Sequence, residues 1–268
     1  MKKILEIRNV WKSFTGELNT SNERIPVLKG VSVDIEYKSI TALIGGNGAG
    51  KTTLLNIING FLSPDRGTIS YKTSQGNEIL NKKKTHQIAR LGIGRLFQGT
   101  RLFSNLSVKE NLLIACSETL LEKPFYNLYA SKKYKDAFSV MSTNIESLLY
   151  KLGSQSLLQK LDQNLSSLSY AEQRILNLIS LLLGDYNLVL LDEPTSGINI
   201  DDWGMIEAVI SEMKKSGITV FLIEHNMEFV KKYVKTCYYM SSGKIILSGD
   251  TEEVLNNPLV KKEYLALC

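Results

Sequence analysis

Few folds accommodate the run Gly45-Gly46-Asn47-Gly48-Ala49-Gly50-Lys51-Thr52. A glycine, four residues and then glycine, lysine and a hydroxyl residue form a loop built to hold phosphate groups. Glycines let the backbone turn tightly enough for successive amide N–H groups to converge on phosphate oxygens. A helix that starts near Gly50 adds the positive end of its dipole. Lys51 supplies a mobile cation, and the Thr52 hydroxyl is placed to bind a Mg²⁺ that bridges the phosphates. The flanks fit this reading. Ser39–Ile44 is apolar enough for a strand, and Thr53–Ile58 for a helix. The loop therefore predicts a strand–loop–helix unit in an α/β fold.

Composition narrows the class further. The chain has 268 residues, which suits one large α/β domain or a core with a smaller insertion. A hydrophobic content of 43% supplies a substantial core. Lys and Arg number 32 and Asp and Glu 27, a net charge of +5 spread along the chain. Lys82-Lys83-Lys84 is too short a run to argue for nucleic acid. No apolar run approaches the length of a membrane span, and the first residues lack the apolar core of a signal peptide. Cys116, Cys237 and Cys268 are scattered, odd in number and not at metal spacing, as expected for free thiols in a reducing compartment. His86 and His225 are the only histidines, which excludes a histidine-rich metal site.

Further strands are predicted at Ile4–Val10, Val31–Ile35, Gly67–Tyr71, Gly92–Phe97, Asn187–Leu191 and Ile218–Ile223, with a closing hairpin around Ser242-Gly243. Thr15–Arg24 is polar and reads as a loop. From Val108 to about Gly184 the pattern is mostly helical. Ile200–Lys215, Met227–Tyr233, Thr251–Asn256 and Pro258–Leu267 read as helices. Strands alternating with helices imply a largely parallel sheet. The helical block between two α/β parts implies an inserted subdomain. Tyr126, Tyr129 and Tyr134 lie among lysines in that block, either as a contact surface or as ordinary packing.

Leu188-Val189-Leu190-Leu191-Asp192-Glu193 is an apolar strand that stops at two acids. Such a strand can set carboxylates at the sheet's carboxyl edge, where ligands bind. Asp192 is suited to Mg²⁺ through water, and Glu193 to polarising an attacking water as general base. With Asp192-Glu193-Pro194-Thr195-Ser196-Gly197, the chain resembles the nucleotide-binding subunits of ATP-binding-cassette (ABC) transporters over essentially its whole length. Five further matches support the resemblance. Gln98, in Gly94-Arg95-Leu96-Phe97-Gln98, matches the Q-loop glutamine, which contacts Mg²⁺ and the attacking water. His225, in Ile223-Glu224-His225-Asn226, matches the switch histidine at the γ-phosphate. Phe14 sits where the family places an aromatic that stacks on adenine, although it could instead be core. Leu168-Ser169-Tyr170-Ala171-Glu172 occupies the signature position, and Ser196-Gly197-Ile198-Asn199 that of the D-loop.

The resemblance implies a RecA-like P-loop core with a mainly parallel sheet, an N-terminal antiparallel β part and an inserted helical subdomain. The core would span about 1–98 and 186–250, the helical subdomain about 99–185, and a C-terminal helical extension about 251–268. Gly45, Gly46, Asn47, Gly48, Ala49, Gly50, Lys51, Thr52 and Thr53 would hold ATP, with Thr52, Gln98 and Asp192 on Mg²⁺ and Glu193, His225 and Gln98 in catalysis. Two ATPase subunits, identical or different, would clamp two nucleotides, with Ser169 serving the partner's γ-phosphate in trans.

Phe97-Gln98-Gly99-Thr100-Arg101-Leu102-Phe103, Ser107–Leu113, the His225 segment, Asn256-Asn257-Pro258 and an extended helical segment at Ser117–Ala137 are similar to the branched-chain amino acid importer ATPases. Membrane permease subunits and an extracytoplasmic solute-binding protein are then the implied partners, without nucleic acid. The chain itself is expected in the cytoplasm, attached to the inner face of the cell membrane. An exporter ATPase and a soluble, non-transport cassette remain the alternatives. The signature departs from the usual Leu-Ser-Gly-Gly-Gln at Ala171 and Glu172, whereas Tyr170, at the first glycine, is a form that the related importers often accept. Either the loop tolerates the changes, or the site completed by this signature is weak, with a Cβ at Ala171 crowding a close approach and Glu172 adding charge near an anion.

Overall fold

A computed structural model describes residues 2–15, 24–97, 99, 102–116 and 131–265. Along the chain the strands are β1 (Lys3–Thr15), β2 (Arg24–Glu36), β3 (Ile40–Ile44), β4 (Arg66–Thr73), β5 (Gly76–Ile79), β6 (Ile93–Leu96), β7 (Leu188–Asp192), β8 (Thr219–Ile223), β9 (Thr236–Ser241) and β10 (Lys244–Asp250). The chain divides into two compact units. The first comprises Met1–Arg95, Asn187–Pro194 and Ser216–Cys268, and the second Leu96–Tyr186 and Thr195–Lys215.

The first unit carries two sheets. One is antiparallel, in the order β2-β1-β4-β5. The other runs β10-β9-β3-β8-β7-β6, with β9, β3, β8 and β7 mutually parallel and β10 antiparallel at its edge. Every residue of β3, β7 and β8 is buried, which explains why these segments read as unbroken apolar runs. The helix α1 (Lys51–Ile58) presents Leu54, Leu55, Ile57 and Ile58 to the core, none more than 1% exposed. Each such side chain contributes about 1.5–3 kcal/mol on full burial, so α1 is anchored firmly behind the loop that precedes it. Leu43, Ile69, Tyr71, Leu190 and Phe221 join the same core.

The strands around the expected polar loop run longer than their apolar pattern. β1 and β2 stay paired out to Phe14↔Ile25 and Thr15↔Arg24. The ladder and Asp65, which accepts the Ser13 N–H at 2.7 Å, hold residues that hydrophobicity alone would leave free. Residues 16–23 lie outside the described residues. β5 and the helix Thr85–Arg90 escaped the sequence reading because both are short and mostly polar. The hairpin between β9 and β10 turns at Ser242 and Gly243, both at positive φ, as a two-residue hairpin loop requires.

The second unit is helical, with Val108–Cys116, Ser131–Lys151, Gln155–Gln159, Tyr170–Leu183 and Trp203–Lys215 as its helices. Side chains set where they begin. Ser107 and Glu110 exchange hydrogen bonds across the first turn of Val108–Cys116, and Asn111 accepts the Phe103 N–H while donating to Ser107 O. Lys151 pairs with Glu212, joining two of the helices. The expected segment Ser117–Ala137 falls largely outside the described residues, as do Tyr126, Tyr129 and the side chain of Tyr134.

Candidate functional site

In the first unit β3, β8 and β7 are neighbours and parallel, so their carboxyl ends share one edge. The glycine-rich loop follows β3, Glu224-His225 follows β8, and Asp192-Glu193 closes β7. Topology thus gathers segments that are far apart in sequence, as in other open α/β sheets.

Ala49 N–H closes the loop onto Gly46 O at 3.3 Å, and Leu54 N–H onto Gly50 O at 3.0 Å. Gly50 has φ +104°, and a Cβ there would lie 2.8 Å from Leu28 Cδ2, so both conformation and space call for glycine. Gly50 puts no side-chain cap on α1, leaving the first-turn amides to an anion. Lys51 is buried and donates to Gly45 O at 2.7 Å and Gly46 O at 2.9 Å. Burial pushes the Lys51 ammonium below its ordinary pKa, and the carboxylates of Glu193, Glu263 and Asp192 oppose that shift. Asn47, Gly48 and Thr52 are exposed, and Thr53 is half-buried.

Glu193 Oε1 lies 2.8 Å from His225 Nε2. The Glu193 backbone has φ +49°, the left-handed region that a side chain seldom adopts, and its N–H is held by Ile223 O at 3.0 Å. Strain of this kind costs on the order of 1–3 kcal/mol and clusters at functional positions. Glu224 Oε2 accepts the N–H groups of His225 and Asn226, at 3.0 and 3.3 Å, and so fixes the backbone that carries the imidazole.

Asp192 is held by a residue to which the sequence reading assigned no role. Arg95, on β6, reaches Asp192 Oδ2 at 3.1 Å and Asn56 Oδ1 on α1 at 2.7 Å. The Arg95 and Asp192 side chains are 4% and 2% exposed, so this is a buried ion pair. The available signal was an arginine inside the otherwise apolar strand Ile-Gly-Arg-Leu.

Phe14 stands on β1 at 39% exposure, not in the core, with Lys12 Nζ 5.6 Å from its ring centroid. Gln98 lies outside the described residues.

In the second unit, Ser169 caps the helix Tyr170–Leu183. Its hydroxyl accepts Glu172 N–H at 3.2 Å, and its own N–H donates to Glu172 Oε2 at 2.9 Å. Lys160 Nζ grips both Glu172 oxygens, at 2.8 and 2.9 Å, and Ser156 adds a hydroxyl contact. Burial alone would raise the Glu172 carboxyl. The hydrogen bonds from Lys160, Ser156 and the Ser169 N–H outweigh it and hold the group at about 2. Glu172 therefore carries a compensated charge, which the sequence, read locally, did not show. Tyr170 is half exposed and lies over Gly197, where a Cβ would come within 3.1 Å of its ring. Buried Arg174 donates to Phe97 O at 2.6 Å.

Comparison with known proteins decides what this arrangement belongs to. The family model for ABC transporters matches residues 28–196. The chain belongs to the ABC transporter family. A probable branched-chain amino acid transport ATP-binding protein, LivG of Archaeoglobus fulgidus, is 33% identical over 264 residues, covering 98% of this chain and 95% of the relative. The high-affinity branched-chain amino acid transport ATP-binding protein LivG of Escherichia coli is 31% identical, covering 98% and 97%. Among solved structures, the ADP conformation of MJ1267, an ATP-binding cassette of an ABC transporter, is similar with a TM-score of 0.77 and 28% identity over 99% of each chain. This ABC chain is an ATP-binding, ATP-hydrolysing subunit of a transporter with a RecA-like core. Among the described residues no helix is long and apolar enough to cross a membrane.

Proposed function

We propose that this ABC ATPase energises the import of branched-chain amino acids, or a similar small polar solute, through separate membrane permeases. The observation that carries the catalytic part is the Glu193–His225 contact at 2.8 Å on the sheet edge that also bears Lys51. The names of the relatives, which are 31–33% identical over nearly the whole chain, support the cargo.

Residues 45–53 hold the phosphates of ATP through backbone N–H groups and Lys51. Phe14 stacks on adenine. Glu193 takes a proton from the attacking water as general base. His225 orients that carboxylate and donates towards the γ-phosphate, where charge develops. The Thr52 hydroxyl and the Asp192 carboxylate are hard oxygen donors and fit Mg²⁺ rather than a soft metal. An ion held there would neutralise phosphate charge. Arg95 holds the Asp192 carboxylate in place. Gln98 completes the set by its place in the sequence.

The active unit is a pair of cassettes, identical or different, in which Ser169 of each faces the γ-phosphate held by the other. It sits on the cytoplasmic face of the membrane beneath the permeases, which receive solute from an extracytoplasmic binding protein. The cassette comprises one RecA-like core, a helical subdomain and a C-terminal helical extension.

Transport is the test. Proteoliposomes holding this chain, its membrane subunits and a solute-binding protein should take up leucine, isoleucine or valine only with ATP on the side that bears the cassette. ATP-driven efflux would assign an exporter instead. Hydrolysis with no membrane association would assign a non-transport cassette.

A further inference from the structure

One carboxylate reaches the phosphate loop from a distant part of the chain. Glu263 lies in the helix Pro258–Leu265. Gly46 N–H donates to its Oε1 at 3.0 Å, and the Tyr239 hydroxyl donates to its Oε2. Tyr239 is on β9, paired with Ile44 at the end of β3, so this donor is anchored beside the loop. Each oxygen of Glu263 thus has its own donor. Gly46 provides the room: a Cβ at that position would lie 2.2 Å from Glu263 Oε1 and 3.3 Å from its Cδ. The carboxylate also acts on Lys51, together with Glu193 and Asp192. Those two acids have roles in hydrolysis, and Glu263 has none.

A negative charge fixed against a loop that holds a polyanion works against that polyanion. The same carboxylate orders the start of the loop by binding the Gly46 N–H. We infer that Glu263 sets the nucleotide affinity of this cassette: it ties the C-terminal helix to the phosphate loop and opposes the incoming triphosphate, so that helix and nucleotide compete. The inference rests on the reading that residues 45–53 hold the phosphates of ATP. Coupling between sites is reciprocal, so a helix contact that weakens nucleotide binding must itself be loosened by nucleotide.

The test uses the full chain. The Kd for Mg²⁺-ATP is measured by displacement of a fluorescent ATP analogue at low and high ionic strength, for the wild type, E263Q and K51A. E263Q keeps an acceptor oxygen for Gly46 and loses the charge. It should bind ATP about 5-fold more tightly at low salt, the lower end of typical coupling between sites. The gain should shrink in part at high salt, since Glu263 is half-buried and so only partly screened. In parallel, amide hydrogen exchange in residues 258–265 should speed up when the wild type binds Mg²⁺-ATP, and change less in E263Q. If E263Q binds like the wild type or more weakly while K51A loses binding, the inference falls and the phosphate-loop reading stands. Wild-type binding in K51A would overturn both. Exchange in the C-terminal helix that is indifferent to nucleotide would overturn the competition between helix and nucleotide.

Discussion

At the residue scale, Glu193 combines two properties that rarely meet in a side chain without a task. Its backbone is left-handed at φ +49°, and its carboxylate is held 2.8 Å from an imidazole. Lys51→Ala should weaken nucleotide binding, because it removes the buried cation of the loop. Glu193→Gln should leave binding intact and abolish turnover, because the amide keeps size and hydrogen bonding but has no basicity. His225→Ala should lower turnover by about 10²–10³ while sparing binding, the range for one donor aimed at developing charge. Steady-state ATPase assays beside nucleotide titrations separate these outcomes. Equal losses of affinity and rate in His225→Ala would make that residue a structural one. Arg95 belongs to the same scale. Arg95→Leu removes the buried cation that pairs with Asp192 and should destabilise the fold by about 3–5 kcal/mol. Urea unfolding checks this, and an unchanged midpoint would mean that the pair is replaced by solvent.

At the scale of an element, the helix Tyr170–Leu183 shows how a departure from the usual signature is accommodated. Glu172 closes a capping box with Ser169 and is neutralised by Lys160. Its folded-state carboxyl is held at about 2, below the ordinary 4.5. A lowered pKa contributes stability that is present above the ordinary value and lost as the pH falls towards the folded one. The stability difference between the wild type and Glu172→Gln should therefore be full at neutral pH and shrink between 4.5 and about 2. Thermal unfolding at several pH values in that window measures it, and a constant difference would remove the charge from the account. Because Lys160 compensates Glu172, Ala171 is the uncompensated change in the signature. Ala171→Gly should raise ATPase turnover, and Glu172→Gln alone should leave it unchanged at neutral pH. Equal turnover in the wild type and Ala171→Gly would mean that the loop tolerates the Cβ.

At the scale of the whole molecule, the proposed function, with Ser169 facing the partner's nucleotide, makes hydrolysis depend on two cassettes. Glu193→Gln should accumulate as an ATP-bound dimer, because nucleotide that cannot be cleaved keeps the clamp shut. Size-exclusion chromatography with Mg²⁺-ATP should show this species growing with ATP and disappearing when Ser169→Arg is added. A Glu193→Gln chain that stays monomeric with saturating ATP would contradict a clamp built from this subunit alone and point to a different partner ATPase. Cys116 and Cys237 carry free thiols, and burial raises both, Cys237 to about 12.

The sequence by itself determined the phosphate loop, the apolar strands β3, β7 and β8 and the order of the motifs. Each of these is local: a turn needs its glycines side by side, and a strand buried on both faces needs an unbroken apolar run. The ends of β1 and β2 were not legible, because cross-strand pairing rather than hydrophobicity holds them. Only the tertiary structure decided which side chains meet. Glu193 and His225 are 32 residues apart, Arg95 and Asp192 97, and Gly46 and Glu263 217. A parallel sheet brings the ends of strands together whatever the spacing between them, and periodicity records which face a residue takes but not its distant partner. The Arg95 clamp, the Lys160 compensation and the Glu263 contact therefore exist only once the strands have been ordered and the helices packed.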